Sequence, residues 1–223
     1  MAMKKPSIVP VREQIYEYVK QAIITNEYKP GELLSIEHLA HDFGVSATPI
    51  REALIRLENS GLLNLIPNKG AVVTDYTKED VHNAWEMRRL LEPYAGRITA
   101  KLDVRKEITA LEHGIKAIME GPFKLPRYIE LDRSLHELLF AYVPNDLLRE
   151  TLSRILENSM RMRYFAEGTP ISQADTVAQV CAEHLEILAA LRSKDPERAE
   201  QTICSHIETG ERRTLFSLEH AER

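Results

Sequence analysis

A chain of 223 residues is long enough for two modest domains with cores of their own, and a 43% share of apolar residues argues against disorder. The formal net charge of −5 does not announce a nucleic-acid partner, and residues 1–75 carry eight Lys/Arg against nine Asp/Glu. No apolar run approaches the roughly 18 residues of a membrane helix, the start MAMKKPSIVP lacks the apolar core of a secretory signal, and Cys181 and Cys204 make no disulfide framework.

A folded cytoplasmic protein with reduced thiols and no membrane partner is therefore expected. Residues 1–7, with Lys4 and Lys5, read as a solvated arm. From Val11 to Asn26, Ile15, Val19, Ala22 and Ile23 form a helical stripe, and Lys29-Pro30-Gly31 marks a turn. The next stretch, IEHLAHDFGVSATPIREALIRLENSGLL from Ile36 to Leu63, organises the first half. Leu39, Ala40 and Phe43 fall at helical spacing and the run stops at Gly44, a residue suited to the left-handed conformation that ends helices. Val45 is a buried anchor, Ser46 is placed to cap a second helix, and Pro49 sits in its first turn, where a missing N–H costs nothing. Ile50, Ala53, Leu54 and Leu57 make the inward stripe of that helix, which leaves Ala47, Thr48, Arg51 and Arg56 outside it, and Gly61 ends it.

Helix, glycine turn, helix is the helix-turn-helix unit, whose second helix can present its first residues to the major groove of DNA. It also occurs in helical proteins that bind no DNA. The segment after Gly61 favours the DNA reading: LLNLIPNKGAVVT, from Leu62 to Thr74, is two β-prone runs around Pro67, Asn68, Lys69 and Gly70, a hairpin signal. Such a hairpin is a wing, with Lys69 at its tip facing a phosphate. Since the half is not basic overall, any positive surface has to come from Arg12, Arg51, Arg56 and Lys69 gathered in space, and a dimer on a two-part operator is expected.

From about Val11 to Asp75, with KPGELL at Lys29–Leu34 and GVSATPIREAL at Gly44–Leu54, the chain resembles the winged-helix DNA-binding domain of the GntR family of bacterial transcription regulators. The family's string has Arg after the serine where this chain has Ala47, so one habitual contact is absent. The resemblance implies a DNA-binding domain over residues 8–75 that meets double-stranded operator DNA through Arg12, Ser46, Thr48, Pro49, Arg51, Arg56, Lys69 and Gly70.

Beyond Tyr76, Thr77 and Asp80 have the spacing of a capping box, and the rest of the chain offers only helical segments: Lys78 to about Lys101, Asp103–Glu120, Arg127–Tyr142, Asp146–Ala166, Gln173–Arg192 and Pro196 to about Leu218. Gly121-Pro122, Pro126, Pro144-Asn145, Gly168-Thr169-Pro170 and Asp195-Pro196 separate them, and Pro93 should kink the first. The expected fold is mainly α, a winged helix-turn-helix followed by an all-α bundle over residues 78–218.

Asp132 and His136 are four residues apart on one helix face among Leu131, Leu135, Leu138 and Leu139. The helices on either side of Lys194 place His184 ten residues before the turn and His206 twelve after it, level within about 3 Å if they pack antiparallel. One carboxylate and three imidazoles suit a divalent ion, Zn²⁺ first, with Ni²⁺ or Mn²⁺ as alternatives. Taken singly, the same residues could be an ordinary surface hydrogen bond and satisfied core histidines. Cys181 is a further soft donor on a similar face. His38, His41, His82, His113 and His220 have no partner at ligand spacing.

MRRLLEP at Met87–Pro93, D-x-x-x-H at Asp132–His136, EHLEILAAL at Glu183–Leu191 and DPERA at Asp195–Ala199 resemble the FCD effector domain of the FadR subfamily, which partners the GntR winged helix. The resemblance implies dimerisation and, in the metal-containing branch, an ion held by Asp132, His136, His184 and His206. It also implies a small organic-acid or sugar-acid effector, for which Arg88 is the first clamp candidate, ahead of the more exposed-looking Arg161 and Arg163. The function expected is an effector-controlled transcription regulator, a repressor by the commoner family habit, and not an enzyme. The alternative is a metal-dependent hydrolase using Glu137 or Glu183 as base, but no catalytic motif accompanies the site.

Overall fold

In the computed structural model the chain divides into two compact units, Met1–Asp75 and Tyr76–Arg223. Residues 9–67, 69–167 and 173–221 are described, so the N-terminal arm with Lys4 and Lys5, Asn68 of the expected hairpin and the Gly168-Thr169-Pro170 break lie outside the described residues.

The first unit is built around helices α1 (Val11–Ile24), α2 (Ile36–Phe43) and α3 (Ala47–Asn59). Ile50, Ala53, Leu54 and Leu57 of α3 are wholly buried against Ile15, Val19 and Ile23 of α1. Each such leucine or isoleucine stabilises the fold by about 1.5–3 kcal/mol relative to an exposed side chain. Gly44, at φ +63°, closes α2 in the left-handed conformation, and its N–H reaches the His41 carbonyl. Val45 is half-buried against this core rather than fully enclosed.

Two local expectations are corrected. Ser46 holds an extended cap conformation, but its side chain accepts no capping hydrogen bond, and the exposed start of α3 leaves its amides to solvent. The capping serine is instead Ser35, which accepts from the His38 N–H at the start of α2. The wing is also more than a hairpin: β1 (Leu33–Ser35), β2 (Leu63–Ile66) and β3 (Gly70–Val73) form one antiparallel sheet in the order β1-β3-β2. A three-residue strand has no alternation to detect, and β1 exists because β3 pairs with it, Leu34 opposite Ala71. Gly70 sits where the strands crowd together, since at φ +148° a Cβ would come 1.9 Å from the Leu34 carbonyl oxygen.

The second unit is all helical among its described residues: α4 (Lys78–Thr99), α5 (Arg105–Glu120), α6 (Leu125–Phe140), α7 (Asp146–Glu167), α8 (Gln173–Arg192) and α9 (Pro196–Ala221). The Thr77 side chain accepts from Asp80 N–H and the Asp80 carboxylate accepts from Thr77 N–H, so the capping box opens α4. That helix continues through Pro93 for a further turn and a half. α6 begins before Pro126, not after it, because a first-turn proline is tolerated. α4 packs against α6, α7 and α9, and α8 packs against α5 and α9. Lys194, at φ +55°, makes the sharp reversal between α8 and α9, after which Asp195 accepts from Arg198 N–H to start α9. No helix of the described residues is long and apolar enough to cross a membrane.

Candidate metal centre and nucleic-acid interface

α6, α8 and α9 bring their polar residues to one buried point. The candidate donor atoms of His136, His184 and His206 all lie within 4.8 Å of one another. The Asp132 Oδ1 atom is 3.4 Å from His184 Nε2 and 3.9 Å from His136 Nε2. All four residues are buried, whereas the other five histidines are exposed. The arithmetic about the Lys194 turn thus holds: the rings of His184 and His206 stand 4.8 Å apart between centroids.

Each ligand candidate is held by a charged neighbour. The His136 Nδ1 atom is 2.8 Å from the Glu92 carboxylate, and His206 Nδ1 is 2.7 Å from Glu183. With Nδ1–H donating outward, each ring turns the Nε2 lone pair inward, and these two nitrogens face each other at 3.4 Å. Asp132 accepts a two-pronged contact from Arg163, at 2.8 and 2.7 Å. Glu92 is paired with Arg88 on the same helix, and Glu183 with Arg213 at 2.7 and 2.9 Å.

Burial pushes the His206 imidazole down to about 4, against the opposing pull of its hydrogen bond to Glu183. Burial and the neighbouring His206 push His184 well below the ordinary histidine range. For the two carboxylates burial works the other way, yet their cationic partners prevail: Arg88 and His136 hold Glu92 low, and His206 and Arg213 bring Glu183 to about 2. Burial therefore favours neutral His184 and His206, beside ionised Glu92 and Glu183, and a neutral imidazole is the form in which histidine binds a metal.

The donor set can be tested against an ion by distance. Two nitrogens on a tetrahedral ion at about 2.0–2.1 Å stand roughly 3.3 Å apart. His136 Nε2 and His206 Nε2 are 3.4 Å apart, as are His184 Nε2 and Asp132 Oδ1. Facing lone pairs repel unless a cation lies between them, and burial disfavours a proton on His206. The His184 Nε2 atom makes no hydrogen bond among the described residues. The three imidazoles fit a divalent ion, with the outer carboxylates orienting two of the rings and Asp132 beside the cluster, near His184 and His136.

Several neighbouring expectations change. Arg88 and Arg161 are buried, and so is Arg163, although the charged run SMRMRYF suggests a solvated position. The Arg88 Nη2 atom is 3.3 Å from both nitrogens of His136, an equidistance that puts the guanidinium over the ring face, where it supports the ring. Arg161 lies over the Tyr76 ring at 5.6 Å, and Arg163 belongs to Asp132. The Cys181 thiol is raised to about 11 by burial and by Asp132, and it stands outside the three-histidine cluster. Glu183 is committed to His206 and Arg213, and Glu137 to Arg133 at 2.7 Å, so neither proposed base is free. Sequence reasoning missed Glu92 and Arg213; the spacing of Arg88 and Glu92 on an apolar face was the available signal.

In the first unit Thr48 and Arg51 are exposed near the start of α3, and Ser46, Lys69 and Arg12 are exposed as well. Pro49 is half-buried in the first turn, and Gly70 is buried within the sheet. Arg12 pairs with Glu52 at 3.2 Å, and Arg56 pairs with Glu13 at 2.6 Å while lying over the Tyr16 ring. Those two arginines brace α1 against α3 instead of standing free for a phosphate.

Comparison with known proteins agrees with both halves. The family model for bacterial regulatory proteins of the gntR family matches residues 11–73, and that for the FCD domain matches residues 83–209. The HTH-type transcriptional regulator YdhC of Bacillus subtilis is 31% identical over 92% of this chain and 90% of its own. The HTH-type transcriptional repressor RspR of Escherichia coli is 26% identical over 89% of this chain and 86% of its own. The fold matches that of E. coli McbR/YncC with a TM-score of 0.78 at 20% identity, over 91% of this chain and 95% of the other.

Proposed function

Because this chain belongs to the gntR family of bacterial regulatory proteins and carries an FCD domain, we propose that it is a homodimeric repressor of the FadR subfamily, whose operator affinity is set by a small acid bound at a metal site. That it is a DNA-binding transcription regulator and not an enzyme follows from the family and its relatives. The observation that carries the finer reading is the buried convergence of His136, His184 and His206 with Asp132 beside them, and with the Nδ1 atoms of His136 and His206 each fixed by a carboxylate. A zinc ion there, or nickel or manganese in its place, would supply a Lewis acid for an anionic oxygen.

Asp132 and the three imidazoles would hold the ion, while Glu92 and Glu183 fix two rings and Arg163 fixes the carboxylate. Effector and operator then act on each other reciprocally, because an acid that prefers one arrangement of the dimer changes DNA affinity by the same factor as DNA changes acid affinity. On the DNA side, Thr48 and Arg51 read base edges from the start of α3 and Lys69 meets a phosphate from the wing, with Arg12, Ser46, Pro49, Arg56 and Gly70 shaping that surface. The test is a gel-shift titration on DNA from the gene's own upstream region, with zinc-loaded and zinc-free protein and a panel of small acids. Release of DNA by an acid only when zinc is bound supports the reading; an acid response indifferent to zinc removes the metal from it.

A further inference from the structure

The three supports behind the ligands have a common ending. Asp132 ends on Arg163, Glu92 on Arg88 and Glu183 on Arg213. Three carboxylates are matched by three guanidiniums, and imidazoles that bind an ion as neutral ligands add no charge. A divalent ion among these donors therefore adds two positive charges that the three pairs do not offset, beside the almost wholly buried Arg88, Glu92, Asp132 and Arg163. Buried charge without a counter-charge is strongly disfavoured, so the ligand that completes the site should bring two negative charges.

An independent observation says where the second of them goes. Trp85 of α4 is fully buried, and among the described residues its Nε1–H donor has no hydrogen-bond partner. An indole N–H can only donate, so it calls for an acceptor. A Cβ at Gly210 of α9 would stand 3.4 Å from that nitrogen and 3.9 Å from Arg213 Nη2, so the missing side chain leaves a gap next to the donor. Gly210 follows His206 by four residues on the same helix, hence on the same face, about 6 Å further along its axis.

We propose that the effector is a short dicarboxylate, with one carboxylate on the ion held by Asp132, His136, His184 and His206 and the other accepting the Trp85 Nε1–H in the gap at Gly210. This rests on the metal-and-effector reading above and names the ligand class for it. A monocarboxylate of equal length leaves one positive charge and the indole donor unanswered.

The experiment is calorimetric titration of the full-length zinc-loaded protein, its zinc content measured before and after. The probes are malonate, succinate and glutarate, each against the monocarboxylate of equal carbon number: propionate, butyrate and valerate. One dicarboxylate should bind at least tenfold more tightly than its partner. Trp85→Phe keeps the ring and removes the donor; it should lose most of that advantage while zinc content and monocarboxylate affinity stay unchanged. Gly210→Ala, which fills the gap and leaves every named donor and ligand in place, should do the same and carries the test if Trp85→Phe does not fold. Equal binding of the paired acids overturns the inference, as does a dicarboxylate preference that survives both substitutions. If none of the six acids binds zinc-loaded protein, the effector reading fails and this inference falls with it; if the purified protein holds no zinc, nickel or manganese, the metal reading fails first.

Discussion

In the first unit the arginines pair at the surface, Arg12 with Glu52 and Arg56 with Glu13, and every partner is more than a third exposed. In the second, Arg88 and Arg163 are sealed inside, and the carboxylates they pair with also touch or hold imidazoles. An exposed pair is screened by water and contributes little, whereas half of a buried pair is costly to leave behind. The first unit can therefore change its surface charges with little consequence for folding, which suits a surface that reads DNA. The second has tied its stability to the same side chains that would hold an ion and a ligand.

The largest expected effect tests that tie directly. Arg163→Met leaves the Asp132 carboxylate buried without its two-pronged partner and should destabilise the metal-free protein by about 3–5 kcal/mol in urea denaturation. A loss no greater than that of a surface substitution would mean that water reaches the pair, and the contrast between the units would collapse. Acid should come next. His206 has a folded value of about 4 against 6.5 when unfolded, so between those values the unfolded chain binds more protons and stability rises with pH. Read downward, metal-free protein should lose on the order of 3 kcal/mol as pH falls from about 6.5 to 4. His184 shifts in the same direction and adds to the loss. Glu183, depressed to about 2, acts in the same direction over a lower window: its contribution is present above 4.5 and is lost as pH falls toward 2. Denaturation midpoints at pH 7, 5.5 and 4 check the sign, and a flat profile would refute it.

Smaller effects belong to the reading surface. Arg51→Ala and Thr48→Ala should each weaken operator binding by about 1–3 kcal/mol, roughly fivefold to 150-fold, and relax base preference at one position. Neither side chain supports the core, so the melting temperature should hold. A matching drop in melting temperature would mean that α3 presents a different face.

How legible each feature is in the sequence depends on how local it is. The α3 stripe, the Gly44 turn, the capping box at Thr77 and the pairing of Asp132 with His136 lie within one or two turns of chain, where periodicity speaks directly. His184 and His206 need one further assumption, that the helices around Lys194 run antiparallel, and that short reversal makes the assumption nearly unavoidable. β1 is out of reach because three residues have no period, and its existence depends on β3, whose Gly70 lets Leu34 approach. Arg163 misleads because Arg161, Met162 and Arg163 sit in a run that looks polar; what buries Arg163 is Asp132, thirty-one positions away. Glu183 stands next to His184 in sequence, yet it serves His206, across the helix pair.

The smallest effect discriminates most finely between a free surface cation and a paired one. Lys69 is exposed on the wing and, if it meets a phosphate, Lys69→Ala should lower the slope of log affinity against log salt by about one while weakening all sequences alike. Arg56 is tied to Glu13 at 2.6 Å and lies 4.1 Å over the Tyr16 ring. Its charge is already answered within the domain, so Arg56→Ala should leave the salt slope where it was. It should also leave the denaturation midpoint within measurement error, since an exposed ion pair contributes so little. Equal changes in slope for Lys69→Ala and Arg56→Ala would show that DNA draws Arg56 away from Glu13 on binding. The exposed pairs of the first unit would then be a store of phosphate contacts released by the operator, where the free protein uses them as braces.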